Sequence, residues 1–269
     1  MSRFLYVMLS VIFFSSCGNT EQTTESQTKN DVAYINYFLV DQIPHDTTSF
    51  TEGLFFYGED LFESSGSPPE LSQTKSMFGI VNQETGKIDV KVELDRNSYF
   101  GEGIIRLNDK IFQLTYKNQL CFVYDAKTYK KIKQFKFSNT EGWGLTTDGK
   151  YIIMSDGTNI LTYRNPDNFQ VVKTVTVTEN GYVVINLNEL EFINGFIYAN
   201  VWLTNKIVKI DQVNGKVVGK LDLTQLYQKE LSINRNATEM NGIAYNPLNK
   251  NIYITGKLWS SIYQIGFPH

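Results

Sequence analysis

Glu52-Gly53-Leu54, Glu102-Gly103-Ile104, Trp143-Gly144-Leu145 and Asn241-Gly242-Ile243 state one phrase four times: a polar or aromatic residue, then glycine, then an aliphatic. A degenerate copy, Asn188-Glu189-Leu190, stands between the third and the last. Successive copies lie 50, 41, 45 and 53 residues apart, close to the ~40 to 50 residues of a four-stranded propeller blade. Five copies therefore predict five blades.

Outward from each phrase run short apolar or alternating segments rich in Ile, Val, Phe and Tyr, separated by Gly, Asn and Asp turns. Second strands are expected at Lys150 to Met154 and Phe196 to Asn200, and third strands at Leu120 to Tyr124 and Lys206 to Ile210. Turn chemistry follows them, as in Glu84-Thr85-Gly86-Lys87 and Val213-Asn214-Gly215-Lys216. The only helical expectation is a turn or two within Leu221 to Leu231. The last phrase has room for three strands before His269, while an unused strand, Tyr34 to Val40, precedes the first. Pairing that strand into the final blade closes the ring and removes an open edge. The fold class read from this pattern is an all-β, five-bladed β-propeller over residues 34–269, its last blade closed by the N-terminal strand.

The chain of 269 residues is 42% hydrophobic and 14% aromatic, ample for one large core. A formal net charge of -3 offers no basic stripe for phosphates, so nucleic acid is not an expected partner. Arg3 precedes an apolar run, Phe4 to Phe14, that is too short to span a bilayer and ends in Ser15-Ser16-Cys17. This reads as a signal peptide over 1–16 followed by a lipidated Cys17. Residues 17–33 then form a polar tether, because Gly18 to Asp31 has no apolar residue to bury. The expected location is the cell envelope, as a periplasmic or outer-membrane lipoprotein attached only through its lipid, and a monomer is expected. Cys121 sits in the apolar stretch Leu120-Cys121-Phe122-Val123 and reads as a buried structural thiol. With only His45 and His269 present, a histidine-rich zinc site is excluded.

The first strand of each propeller blade lines the central channel, so the first residue of each phrase should contribute to one ring: Glu52, Glu102, Trp143, Asn188 and Asn241. Buried charge without a partner is costly, which makes such a ring a functional candidate. Lys257 and Trp259 are two apart, hence on one face if the strand there is extended, and Trp202 follows Asn200-Val201 at the corresponding place. Taken alone, either tryptophan reads as packing between blades.

Phe50-Thr51-Glu52-Gly53-Leu54, Phe100-Gly101-Glu102-Gly103, Gly142-Trp143-Gly144-Leu145 with Asp148-Gly149-Lys150, Ser155-Asp156-Gly157-Thr158, Leu187-Asn188-Glu189-Leu190-Glu191, Asn200-Val201-Trp202, Asn241-Gly242-Ile243-Ala244-Tyr245 and Thr255-Gly256-Lys257-Leu258-Trp259 occur in order. Together they resemble the plant-type and bacterial glutamine cyclotransferase family, from about His45 to Ile265. The resemblance implies a five-bladed propeller with no catalytic metal or other cofactor. It also implies conversion of the N-terminal glutamine of peptides or proteins to pyroglutamate with loss of ammonia. By the same resemblance Glu102 is the acid/base, and Phe50, Glu52, Trp143, Asn188, Trp202 and Lys257 lie in the substrate pocket. Two positions depart from the plant pattern: Glu52 stands where a glutamine is usual, and Tyr116 where a tryptophan is usual.

Ring closure joins the substrate's α-amine to its own γ-carboxamide carbon, so the pocket has chiefly to hold the productive conformer. Ammonia departs only when protonated, which assigns a proton shuttle to Glu102. Lys257 and the Asn188 amide are the candidate donors to the developing oxyanion. Asn241 and Trp259 complete the expected pocket, and Glu52 either orients the α-amine or balances Lys257. Two other readings fit the ring alone: a metal-dependent propeller hydrolase of the lactonase kind, with Glu52, Glu102, Asn188 and Asn241 as oxygen ligands, and a non-enzymatic binding propeller.

Overall fold

A computed structural model describes Met1 and residues 31–269. The expected signal peptide, Cys17 and the tether up to Asn30 lie outside the described residues. Asp31–His269 form one compact unit.

The first strand, β1 (Phe38–Pro44), is set aside for the end of the ring. Blade 1 is β2 (Phe50–Tyr57), β3 (Asp60–Gly66), β4 (Met77–Val81) and β5 (Ile88–Glu93). Blade 2 is β6 (Gly101–Leu107), β7 (Lys110–Thr115), β8 (Leu120–Asp125) and β9 (Lys131–Lys136). Blade 3 is β10 (Leu145–Thr147), β11 (Ile152–Met154), β12 (Ile160–Arg164) and β13 (Val171–Thr176), followed by a small hairpin of β14 (Thr178–Glu179) and β15 (Tyr182–Val183). Blade 4 is β16 (Leu187–Ile193), β17 (Phe196–Val201), β18 (Lys206–Asp211) and β19 (Val217–Asp222), and the helix α1 (Thr224–Ile233) follows it. Blade 5 is β20 (Met240–Asn246), β21 (Asn251–Gly256) and β22 (Ser261–Gly266), with β1 as its outer strand. The five-bladed ring is closed as the repeat count predicts.

The closing strand lies further along the chain than expected. It runs antiparallel to β22 from Phe38 opposite Gly266 to Pro44 opposite Ser261. Tyr34 does not belong to it, because residues 33–35 first pair along the outer strand of blade 4. There Ile35 N donates to Lys220 O at 2.7 Å and Lys220 N to Ala33 O at 3.1 Å. The helix is likewise longer than the one or two turns expected. Leu223, Leu226, Tyr227 and Leu231 recur at helical spacing and pack on the blade 5 core. Buried Glu230 ties the helix down, accepting from Tyr263 Oη at 3.0 Å and Ser260 Oγ at 2.7 Å.

The innermost strands touch their neighbours round the axis: β2 meets β6 and β20, β10 meets β6 and β16, and β16 meets β20. This explains the glycine of the repeated phrase. A Cβ on Gly103 would lie 2.4 Å from Trp143 O, and one on Gly144 would lie 2.2 Å from Asn188 O, so the backbones approach where no side chain fits. At the same place β2, β6, β16 and β20 each carry a register shift against their second strand, between Thr51 and Gly53, Gly101 and Ile104, Leu187 and Leu190, and Met240 and Ile243. Such bulges re-aim the local side chains.

The exception to the glycine rule has its own role. Glu189 is fully buried, and its carboxyl accepts from Leu54 N at 3.1 Å and Ile243 N at 2.8 Å, linking blade 4 to blades 1 and 5. Glu191, two residues on, accepts from Tyr245 N at 2.8 Å. Burial raises both carboxyl pKa values, with Glu191 pushed up to about 8. Folded chains therefore bind protons here that unfolded chains release, so this part of stability is complete below the usual carboxylate range and is lost as pH rises through about 8. Replacing Glu189 by the glycine of the other copies leaves two buried N–H groups unpaired, a loss of roughly 2–6 kcal/mol at 1–3 kcal/mol each. Urea unfolding of Glu189→Gly at mildly acidic pH should show that drop, together with a flatter pH dependence of the midpoint. A midpoint equal to that of the unsubstituted chain would show that the carboxyl does not carry these bonds.

Candidate active site

One end of the channel opens into a cavity of about 510 Å³. Glu52, Glu102, Trp143 and Asn188, each the first residue of its phrase, line it. So do Phe50, Tyr116, Trp202 and Lys257. A second layer comes from the residue two positions earlier in each phrase: Phe50, Phe100, Glu141 and Asn186 all face the same space. Of these only Phe50 was among the expected pocket residues. The repeat held the missing signal, because Phe50 precedes Glu52 by two just as Phe100 precedes Glu102 and Glu141 precedes Trp143.

The aromatic wall is built edge to face. Trp143 and Trp202 have ring centroids 5.4 Å apart at 82°, and Phe50 meets Phe100 at 6.1 Å and 86°. Trp143 is fixed in its plane by donating Nε1–H to Glu141 Oε2 at 2.9 Å. Asp156, also on the wall, accepts from Asn139 Nδ2 at 2.7 Å.

Two expected pocket residues stand elsewhere. Asn241 is fully buried behind Glu52: its Nδ2 donates to Glu52 Oε2 at 3.0 Å and to Thr51 O at 3.1 Å. Trp259 does not share a face with Lys257. Strand β21 ends at Gly256, and Trp259 N donates back to Gly256 O at 3.2 Å with Leu258 in the left-handed region at φ 60, so these residues form a turn. That turn sends Lys257 into the cavity and Trp259 into the blade 5 core, where its indole N–H reaches Thr238 O at 3.0 Å.

The charges converge on one point. Lys257 Nζ lies 2.8 Å from Glu52 Oε1 and 4.4 Å from the centre of the Phe50 ring. Burial pushes the Glu52 carboxyl up to about 7 against the pull of Lys257. The neighbouring acids Glu52 and Glu102 hold the lysine pKa above its usual value despite its own burial. Glu102 is 4% exposed, and its carboxyl takes no hydrogen bond from any described residue. Burial first, then the negative charge of Glu52, lifts it well above the usual carboxylate range. With one cation beside two buried acids, Glu52 takes the direct contact with the ammonium, and Glu102, without that contact, is pushed toward its protonated form. Asn188 adds a buried Oδ1 with no partner among the described residues. Tyr116, half-buried beside Glu141, keeps its phenol protonated, with its pKa pushed up to about 12 by burial and by that charge. A pocket that gathers a buried carboxyl pushed toward its protonated form, an ammonium and an amide oxygen without a partner among the described residues is equipped to move a proton between two substrate atoms.

The family model described as glutamine cyclotransferase matches residues 8–267. The chain is 39% identical over 229 residues to the glutaminyl-peptide cyclotransferase of Arabidopsis thaliana, covering 84% of this chain and 70% of that protein. The crystal structure of Myxococcus xanthus glutaminyl cyclase superposes with a TM-score of 0.79 at 31% identity, over 87% of this chain and 97% of that one.

The corrected place of Trp259 can be checked against Trp202. Trp259→Phe should leave KM unchanged while lowering stability by about 1 kcal/mol for the lost indole hydrogen bond. Trp202→Ala should lower kcat/KM by up to roughly tenfold through loss of the aromatic wall. Steady-state kinetics with thermal denaturation decides: a raised KM in Trp259→Phe would return that side chain to the pocket.

Proposed function

Because the chain belongs to the glutamine cyclotransferase family and is a glutaminyl-peptide cyclotransferase, we propose that Glu102 carries the proton from the attacking α-amine to the departing ammonia. The observation behind this assignment is its carboxyl, buried beside the Lys257–Glu52 pair yet free of hydrogen bonds from the described residues. A neutral α-amine attacks the γ-carboxamide carbon, forming the ring C–N bond and a tetrahedral oxyanion. Glu102 gives its proton to the leaving nitrogen, the C–N bond to ammonia breaks, and the resulting carboxylate takes a proton from the ring nitrogen. One proton leaves one nitrogen and one reaches the other, so the enzyme ends as it began.

Lys257 and the Asn188 amide stabilise the oxyanion, and Asn188 Oδ1, which has no partner among the described residues, accepts from the carboxamide NH₂. Phe50, Trp143 and Trp202 confine the glutamine stem and keep water from the carboxamide. Glu52 balances Lys257, since one of its oxygens meets the ammonium and the other the Asn241 amide. That engagement also argues against the metal-hydrolase reading: a cation ligated by Glu52 would have to displace an ammonium already held there.

The test is residues 31–269 with a glutaminyl dipeptide, measuring released ammonia against pH. The acidic limb should follow the substrate's own amine, at roughly pKa 7.7 to 8.0 for an unperturbed group. The alkaline limb should mark loss of the Glu102 proton. Glu102→Gln should lower kcat by about two orders of magnitude or more and abolish that limb. Near-normal turnover in this variant would move the shuttle to Glu52.

We propose further that the chain is a monomeric lipoprotein of the cell envelope. The support is the signal-like Phe4 to Phe14, Ser15-Ser16 before Cys17, and a polar stretch long enough to separate lipid from fold. Cys17→Ala, expressed from the full-length sequence, should move from the membrane to the soluble fraction with activity intact. Retention on membranes would refute the lipid anchor.

A further inference from the structure

His45 lies immediately after β1, on the segment that closes the ring, and its side chain is fully buried. Its Nδ1 is 2.8 Å from Trp259 O, and its Nε2 is 3.0 Å from Glu63 Oε2 and 3.1 Å from Oε1. The Trp259 carbonyl can only accept, so Nδ1 is protonated. Glu63, on β3 and also fully buried, receives the hydroxyls of Ser49 and of Thr51, the latter at 2.7 Å. A carboxyl that gathers two hydroxyl donors beside an imidazole nitrogen favours Nε2 as a further donor. Both ring nitrogens thus sit at buried oxygens, an arrangement that favours a doubly protonated ring.

Every bond of this cluster ends on a segment that carries a pocket residue. Ser49 and Thr51 flank Phe50, and Thr51 precedes Glu52. Leu258 N donates to Ser49 O at 2.8 Å and His45 N to Ser260 O at 2.9 Å, so the turn that presents Lys257 is held at both its arms. Thr51 Oγ1 also lies 3.4 Å from Gly256 O, at the root of that turn. Asn241 completes the link by donating to Thr51 O.

From these contacts we infer that His45 and Glu63 form a positioning pair for the cyclisation: they lock the 256–259 turn against the 49–52 strand and thereby set the Lys257–Glu52 contact. The inference rests on the activity proposed above. Neither residue lines the cavity, so the pair acts through Lys257 and Glu52 rather than on substrate.

The pair also sets a pH limit. Burial works against a charged imidazole, but Glu63 and the Trp259 carbonyl outweigh it and raise the His45 pKa. Glu63 from β3 and the more distant Asp46 are the charged groups acting on the ring, while Thr255 from β21 adds a hydroxyl 3.4 Å from Nδ1. The lock is therefore complete below the ordinary histidine range and is lost as pH rises through the raised value.

Glu63→Gln keeps the size and removes the charge, so the buried imidazole should lose its proton at lower pH. A second alkaline fall in kcat, separate from the limb set by Glu102, should then appear nearer neutrality, and above it kcat should fall by roughly 10- to 100-fold, the scale of a misplaced catalytic group, with a smaller change in KM. In the Lys257→Met background, adding His45→Gln should cost little further turnover, because the route of action is already gone. Thermal unfolding of each variant shows that it is folded at the assay temperature. Histidine ¹⁵N NMR of the unsubstituted protein, with two histidines to assign, should show His45 protonated on both nitrogens at pH 7 and needs no variant to fold. A neutral His45 ring, an unshifted pH profile in folded Glu63→Gln, or full additivity with Lys257→Met would each overturn the inference. Failure of the unsubstituted protein to release ammonia would instead sink the activity on which it rests.

Discussion

Five innermost strands meet round one axis, and in blades 1, 2 and 3 their backbones come so close that the residue after the pocket-lining position has no room for a side chain. Gly103 lies against Trp143 O and Gly144 against Asn188 O, and this crowding organises the rest of the molecule. Continuous pairing cannot pass such a point, so four of the five innermost strands shift register there. The shift in turn frees Glu52, Glu102 and Asn188 from plain in-and-out alternation and aims them at one cavity. Where glycine is absent, Glu189 turns the crowding to use by accepting backbone N–H groups from two other blades.

The chemistry follows from how few charges that cavity holds. Two buried acids and one ammonium cannot all be balanced, and the direct contact of Lys257 with Glu52 decides which acid is charged. Glu102, left without a partner, is the group for which a proton is the cheapest neutralisation. The aromatic walls sharpen this outcome, because every residue that excludes water also raises the penalty on an unpaired charge. The same logic operates a layer further out. His45 and Glu63 meet at complete burial, tolerable because each polar atom of the pair has a partner.

Much of the candidate site was legible because a propeller converts sequence phase into spatial rings. Phe50, Glu52, Glu102, Tyr116, Trp143, Asn188, Trp202 and Lys257 line one cavity, and the repeat itself names Glu52, Glu102, Trp143 and Asn188. Trp259 was misplaced because period-two reasoning was carried past the end of a strand, where Leu258 takes a left-handed turn conformation. Asn241 kept its phase but lies behind Glu52, since its amide is drawn to that carboxylate and to Thr51 O. Glu141 and Asn186 hold the same phase as Phe50, but Phe50 entered the expected pocket through the family resemblance and not through that phase, so the repeat of the offset was not used.

Sequence alone determined the all-β class, the number of blades and the closure by an N-terminal strand, because repeats of a glycine-centred phrase report backbone crowding directly. It also determined which side chains could gather at the axis. Tertiary structure decided where the closing strand begins, because residues 33–35 pair with Lys220 before the chain reaches blade 5. It also decided which of the two channel glutamates pairs with Lys257 and which is left without that partner. That choice rests on a 2.8 Å contact between residues 205 positions apart. No local pattern encodes such a distance; it exists only once the ring has closed and a buried histidine and glutamate have fixed the turn that carries the lysine.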